Sequence, residues 1–325
     1  MSSYLMTTFT LMFLYFFFCL ALISSSKSFW VFWVSLELMN FFFIPWLSYS
    51  EKLSMKVKVF NYFIVQGISS GLFLISVAML EINKIFFSLI VLSMMIKLGA
   101  FPFHTWMLKV SEMMDFSKFI SMMSWVKLAP LSGFSLLPMP SLYFLLFTLG
   151  VYASWGGYMV NSVRMLVVYS SVAHSSWLLL GLYLSKLCVC IYLLSYWLLL
   201  YGLGEWVKTK GVSKLTDMIL VHSKDIYLLS ILFGMMALPP FLGFSPKILI
   251  LSFMSEQGLG FEMILMLIGS LVPFYFYLKT VFFFFLGLSV KSISFNMFWS
   301  AFSSFFVVIY LLSIIFSIMF LWLIL

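Results

Sequence analysis

An all-α integral membrane protein with about eleven transmembrane helices, two of them broken, is the fold class this sequence predicts. It rests on three observations: few charges, apolar runs at bilayer spacing, and a one-sided placement of lysine. The chain is 64% hydrophobic and 9% charged, where a soluble domain carries about 25% charged residues. Since about 20 apolar residues cross the hydrocarbon layer, a span with its connection takes roughly 25–30 residues. A chain of 325 residues therefore holds about eleven spans in a single membrane domain, with no extramembrane module left over.

Polar punctuation divides the apolar runs into candidate spans at roughly 4–24, 29–48, 59–80, 85–107, 117–137, 141–159, 164–184, 187–207, 226–254, 261–286 and 300–325. The first run has no basic segment before it, and Ser24, Ser25 and Ser26 lead into a second apolar run, so it reads as a retained span rather than a signal peptide. Even-numbered loops then carry Lys52, Lys56, Lys58, Lys109, Lys118, Arg164, Lys208, Lys210, Lys214, Lys224 and Lys291; odd-numbered loops carry Lys27, Lys84 and Lys186. Eleven against three is a positive-inside bias that puts the N-terminus on the cytoplasm-like side.

Two spans share an irregularity. The fourth contains "KLGAFPFH", with Gly99 and Pro102; the ninth contains "ALPPFLGFSPK", with Pro239, Pro240, Gly243 and Pro246. Proline removes a backbone donor and glycine relaxes the chain, so these six residues predict two helix breaks at membrane depth. The breaks lie five spans apart, and an odd offset means opposite directions through the membrane. That is the pattern of an inverted five-helix repeat, here about 1–137 and about 141–286, with an extra C-terminal helix at about 300–325. Unwound backbone at that depth is tolerated where protein or a wet cavity surrounds it.

Fourteen of the eighteen basic residues lie in loops, leaving Lys97, Lys127, Lys247 and Lys279 inside apolar runs. Each lysine at the bilayer centre costs about 2.5–3.5 kcal/mol before any pairing. Glu37, inside "FWVSLELMNFFFIPW", is the carboxylate placed deepest in an apolar run, and pairing it with Lys97 offsets the desolvation of both. Burial and a nearby acid push a lysine pKa in opposite directions, so a lysine alternately near to and far from an acid is a switchable proton holder. Lys127 in "WVKLAP" and Lys247 in "SPKILI" continue the line, with His104 and His174 as relay candidates and Lys279 as a further one that also suits snorkelling to the headgroups. Interior histidines also serve as plain hydrogen-bonding residues, and the Phe, Met and Trp stripes read as lipid-facing or packing surface.

Redox chemistry finds no signature in the chain itself. Cys188 and Cys190 form a lone C-x-C without the further ligands of a zinc or iron-sulfur site, and no dinucleotide- or nucleotide-binding loop is present. The sequence predicts no catalytic, metal or cofactor site on this chain, and no nucleic-acid partner.

Seven stretches, in order, resemble the antiporter-like membrane subunits of respiratory complex I, most closely the mitochondrial NADH dehydrogenase subunit 2 family. They are "FWVSLELMNFFFIPW", "FNYFIVQGISSGLFL", "IKLGAFPFHTW", "SWVKLAPLS", "SWGGYMVNSVRMLVVYSSVAHSSW", "LPPFLGFSPK" and "PFYFYLK". The resemblance implies that Glu37 is the intramembrane acid, Lys97 and Lys247 the lysines of the two broken helices, and Lys127 the connecting lysine. It implies eleven helices, neighbouring antiporter-like subunits and lipids as partners, and NAD, FMN, iron-sulfur clusters and ubiquinone held by partner subunits. It places the chain in the mitochondrial inner membrane with the N-terminus facing the matrix. The single arginine and abundant Phe and Met look like an invertebrate mitochondrial product. The chain departs from the family where Thr105, Met107, Leu108 and Lys109 follow the first break, so the resemblance assigns no acid there. It also departs where Met236 and Ala237 replace a Gly-Gly before the second. A cation/proton antiporter subunit, or a structural membrane subunit that moves no proton, shares the same features.

Overall fold

The computed structural model describes residues 15, 18–19, 21–23, 25–26, 28–48, 53–80, 83, 86–112, 114–137, 155–220, 226–239 and 241–290. These residues are mostly helix, with no strand among them beyond an isolated bridge between Ser162 and Lys214. The candidate spans at 4–24 and 141–159 fall largely outside the described residues, and the one at 300–325 and Pro240 fall wholly outside them. Two compact units divide the chain, Met1–Met139 and Pro140–Leu325.

In the first unit, α1 (Phe29–Ser48) and α2 (Leu53–Met79) are long enough and apolar enough to cross a membrane. Phe32, Leu36, Met39, Phe43 and Leu47 recur at helical spacing along α1 and are buried, while Trp30, Val34, Leu38 and Phe41 remain exposed. Trp33 ties α1 to α2 by donating from Nε1 to the Ser70 carbonyl at 3.2 Å. The fourth predicted span is two helices, α3 (Phe87–Leu98) and α4 (Thr105–Ser111). The fifth, a single span by its apolar run, is also two helices, α5 (Phe116–Ser124) and α6 (Leu128–Phe134). Pro130 stands in the first turn of α6 and has no N–H for the Val126 carbonyl, so the ladder stops at Trp125–Lys127 and restarts behind it. Gly133 keeps α6 close to its neighbours: a Cβ there would lie 2.7 Å from Phe32 Cζ and 2.9 Å from Met94 Sδ.

The second unit holds a short 3-10 helix (Trp155–Met159), α7 (Val163–Leu184), α8 (Lys186–Lys210), a second 3-10 helix (Leu215–Leu220), α9 (Ile226–Met236), α10 (Phe244–Glu256) and α11 (Gly260–Val290). Of these, α7 is the central element, 83% buried along its span against 28% for α11. Ser185 caps α8 by accepting from the Cys188 N–H at 3.3 Å, and Gly211 ends it at φ 66° after Lys208 and Lys210, cations suited to a helix C-terminus.

The turn after α8 is held by one carboxylate. Asp217 Oδ2 accepts from the Lys214 N–H at 2.8 Å, the Ser213 hydroxyl at 3.0 Å and the Ser213 N–H at 3.1 Å. These bonds, the Lys214 N–H first, hold the carboxyl below the usual carboxylate range. A depressed folded-state pKa stabilises the turn above the unfolded value and the effect disappears as pH falls through the folded one. Hydrogen exchange at the Ser213 and Lys214 amides is therefore expected to accelerate as pH is lowered past the carboxylate range, beyond the intrinsic trend. In Asp217→Asn this extra acceleration should be absent.

The helix breaks have the same hydrogen-bond scheme in each unit. After α3, the Gly99 N–H donates to Ile96 O at 3.1 Å, the Ala100 N–H to Met95 O at 3.1 Å, and the Phe103 N–H to Ala100 O at 2.8 Å. After α9, the Ala237 N–H donates to Gly234 O at 3.0 Å, the Leu238 N–H to Phe233 O at 3.1 Å, and the Phe241 N–H to Leu238 O at 2.8 Å. Both are Schellman ends, which satisfy orphan carbonyls by turning one residue left-handed. Gly99 takes that position at φ 65°, whereas Ala237 takes it at φ 58°, where a Cβ costs about 1–2 kcal/mol. Gly99→Ala is thus expected to destabilise the protein by about 1–2 kcal/mol or more, since its Cβ would also meet the Met107 side chain. Ala237→Gly is expected to stabilise it by about 1 kcal/mol. Thermal unfolding midpoints of the two variants should move in opposite directions.

Pro102 and Pro239 lie in the turns themselves, Pro102 after a cis peptide bond. Pro246 does not: it occupies the first turn of α10, where no intrahelical N–H bond is required, and so begins a helix instead of breaking one. Gly243 immediately precedes α10 and approaches the backbone of α9 closely, a Cβ there falling on the Gly234 carbonyl.

Candidate proton-handling sites

In the first unit, the stripe that buries α1 leaves Glu37 at its edge, half-buried, with Oε1 fully enclosed. Lys97 is 3% exposed in the last turn of α3, where the helix dipole favours a cation. The Glu37 carboxylate is near enough to interact by charge with the Lys97 ammonium and the Tyr62 hydroxyl. Yet neither Glu37 Oε1 nor Lys97 Nζ makes a hydrogen bond among the described residues. Glu37 and Lys97 thus interact by charge without a hydrogen bond from either of these atoms, an arrangement whose energy depends on their separation.

Around this pair the two sides of the break are tied together. Trp106, on α4, donates from Nε1 to Ile96 O at 3.1 Å and packs its ring 5.5 Å from that of Tyr62, whose hydroxyl lies 3.4 Å from Asn40 Oδ1. Trp106 was read from sequence only as packing surface, and its indole N–H gives no pattern that would have revealed this bond. His104 is half-buried at the head of α4, its ring 5.8 Å from Phe101. Lys127 is 3% exposed in the turn between α5 and α6.

Two further charged residues of this unit make specific contacts. Lys118, assigned to a loop, is 7% exposed and donates from Nζ to the Leu47 carbonyl at 3.1 Å, capping the C-terminal end of α1. Glu112, just after α4, pairs with Lys58 at 2.9 Å. That pair is partly exposed and contributes little to stability.

In the second unit, His174 on α7 and Lys247 on α10 line one small cavity, together with Ala173, Ser176, Trp177, Gly269 and Pro273. The Lys247 ammonium lies 5.4 Å from the centre of the Trp177 ring, within cation–π range. His174 Nδ1 is 2.7 Å from the Tyr192 hydroxyl, and its ring is 4.5 Å from that of Tyr196. Lys279 is not among the cavity residues: its exposed ammonium lies 3.4 Å from both the Tyr158 carbonyl and Asn161 Oδ1. Among the described residues, no group of three or more His, Cys, Asp or Glu could hold a metal ion.

The sequence and the fold have counterparts among known proteins. The family described as "NADH:quinone oxidoreductase/Mrp antiporter, TM" matches residues 25–273. Among curated relatives, NADH-ubiquinone oxidoreductase chain 2 of Artemia franciscana is 32% identical over 235 residues, 71% of this chain and 75% of the relative. The protein of the same name from Rhipicephalus sanguineus is 31% identical over 261 residues, 78% of this chain and 82% of the relative. Among solved structures, a chain of respiratory complex I from Thermus thermophilus superposes with a TM-score of 0.77 at 20% identity, over 95% of this chain and 77% of that one. A chain of the Mrp complex from Dietzia sp. DQ12-45-1b gives 0.66 at 15% identity, over 79% of this chain and 57% of that one. At these identities the structures establish a shared antiporter-like membrane fold.

Proposed function

The chain belongs to the NADH:quinone oxidoreductase/Mrp antiporter membrane family, with chain 2 of NADH-ubiquinone oxidoreductase as its kin, and from that premise we propose that it translocates protons in the membrane arm of complex I. The observation that carries this reading is the buried Lys97 held near Glu37 beside one helix break, with Lys247 beside a second break of the same construction. A proton-moving subunit needs stations that are costly to charge and cheap to switch, and a buried lysine whose acid neighbour changes distance is one.

In this reading, redox work in partner subunits alters the Glu37–Lys97 separation. Protons then redistribute over Lys97, Lys127 and Lys247, with His104 and His174 as relays, and one is released against the field. Each 100 mV opposing a unit charge costs about 2.3 kcal/mol. That is comparable to the effect of a shift of less than two pH units in a station's affinity, at about 1.4 kcal/mol each. NADH oxidation, flavin, iron-sulfur clusters and quinone belong to partner subunits, and no redox centre to this chain. Eleven helices in two inverted five-helix repeats with a C-terminal helix, in the mitochondrial inner membrane with the N-terminus toward the matrix, complete the proposal.

Purification of the native complex tests it. The chain is expected to travel with a flavin and iron-sulfur arm, and NADH oxidation should drive proton translocation across reconstituted vesicles. Cation-driven proton exchange without NADH, by a particle lacking that arm, would overturn the proposal in favour of an antiporter subunit.

A further inference from the structure

Tyr192 has no part in the proton path described so far, yet its hydroxyl lies within hydrogen-bond distance of a ring nitrogen of a proposed relay. It is 2% exposed on α8, with its hydroxyl 2.7 Å from His174 Nδ1 and its ring edge-to-face against the imidazole at 5.8 Å. We infer that Tyr192 is a positioning residue for proton transfer at His174: its oxygen accepts from Nδ1–H and leaves Nε2 as the nitrogen that takes up and releases the proton. The inference rests on the proposed function above.

The physical case concerns which nitrogen changes state. A neutral imidazole carries one N–H, and the hydrogen bond made by one nitrogen decides which role the other has. With the Nδ1–H bond to Tyr192 in place, protonation at Nε2 gives the imidazolium with that bond unchanged, so nothing around the ring has to reorganise. The proton balance is simple: a lysine ammonium gives its proton to Nε2, becoming a neutral amine, and the imidazolium later gives the same proton onward. Lys247 lines the same cavity as His174 and is the lysine that would give this proton. The other titratable groups facing this region are Tyr196 on α8 and Tyr277 on α11, which lie toward Ser171 and Ser170 respectively.

The test is NADH-driven proton translocation by the reconstituted complex across the neutral pH range. Tyr192→Phe keeps the ring packing and removes the acceptor; it should slow NADH-driven proton translocation by about fivefold, the worth of one buried hydrogen bond. Its pH profile should be displaced from that of the unmodified complex. In a His174→Gln background the same change should add nothing, because the two residues act as one unit. Tyr196→Phe, which alters a ring on the same imidazole without touching the Nδ1 bond, should leave the pH profile in place. A normal rate and profile in Tyr192→Phe, an equal loss in the His174→Gln background, or equal effects of the two Tyr→Phe changes would overturn the positioning role. If His174→Gln and Lys247→Ala both pump normally, the proposed function itself fails; if they are impaired and Tyr192→Phe is not, only this inference does.

Discussion

Replacing Lys247 with alanine is expected to leave the complex assembled while slowing proton transfer through this chain by at least about tenfold, read as lost coupled turnover, since a positioned proton-transfer group contributes on the order of 10²–10⁴ in rate. Lys247 suits this test better than Lys97. Its ammonium faces the Trp177 ring and a small cavity, so alanine removes a cation without stranding a buried acid. Lys97→Ala, by contrast, leaves the enclosed Glu37 oxygen without the charge nearest to it. Removing a charge that interacts with a partly buried carboxylate also costs stability, so that variant mixes lost stability with lost function. Lys247→Arg sharpens the distinction, because a guanidinium keeps the charge but does not release its proton at any working pH. A proton station predicts that Arg is nearly as damaging as Ala in coupled turnover measured on the assembled complex. A charge that only holds helices in register predicts rescue by Arg.

Gly243→Ala is expected to destabilise the second unit by about 3 kcal/mol or more and to deplete the assembled complex. The φ of Gly243 is −72°, so its backbone is open to any residue and the constraint is space alone. An added Cβ would fall on the Gly234 carbonyl, a backbone atom within α9 that cannot turn aside. Comparison with Gly234 and Gly202 makes the prediction specific. A Cβ at Gly234 would meet Leu199 Cδ2, and one at Gly202 the Tyr227 hydroxyl and Ile231 Cδ1, all far ends of side chains that can shift. Thermal unfolding of the three alanine variants should rank Gly243 as the most damaged. Equal losses would show that the close approach of α9 and α10 is not rigid.

What could be read from the residues, and what could not, follows from the range of each interaction. The apolar runs announce helices because burial in lipid is a property of each segment separately. A glycine or proline marks a turn because its effect on the backbone is local, as at Gly99. Pro246 misled because proline at a helix start and proline in a helix break look alike until the first turn is located. The division of the fifth span at Trp125–Lys127 was within reach, since Pro130 lies in the middle of that apolar run, but a proline can also be absorbed by a kink. Contacts between distant positions left no trace. Nothing near Lys118 in the sequence points to Leu47, 71 positions away, and nothing near Tyr192 points to His174. The left-handed Ala237 was equally hidden, because alanine is a poor signal for a conformation it adopts only under constraint from Gly234 and Phe233.

The most direct measurement is the number of protons translocated per NADH oxidised by the assembled Lys97→Ala, Lys247→Ala double variant in sealed vesicles. NADH oxidation is expected to persist, at reduced or uncoupled turnover, with proton translocation well below that of the unmodified complex. An assembled double variant that pumps at the unmodified ratio would contradict it.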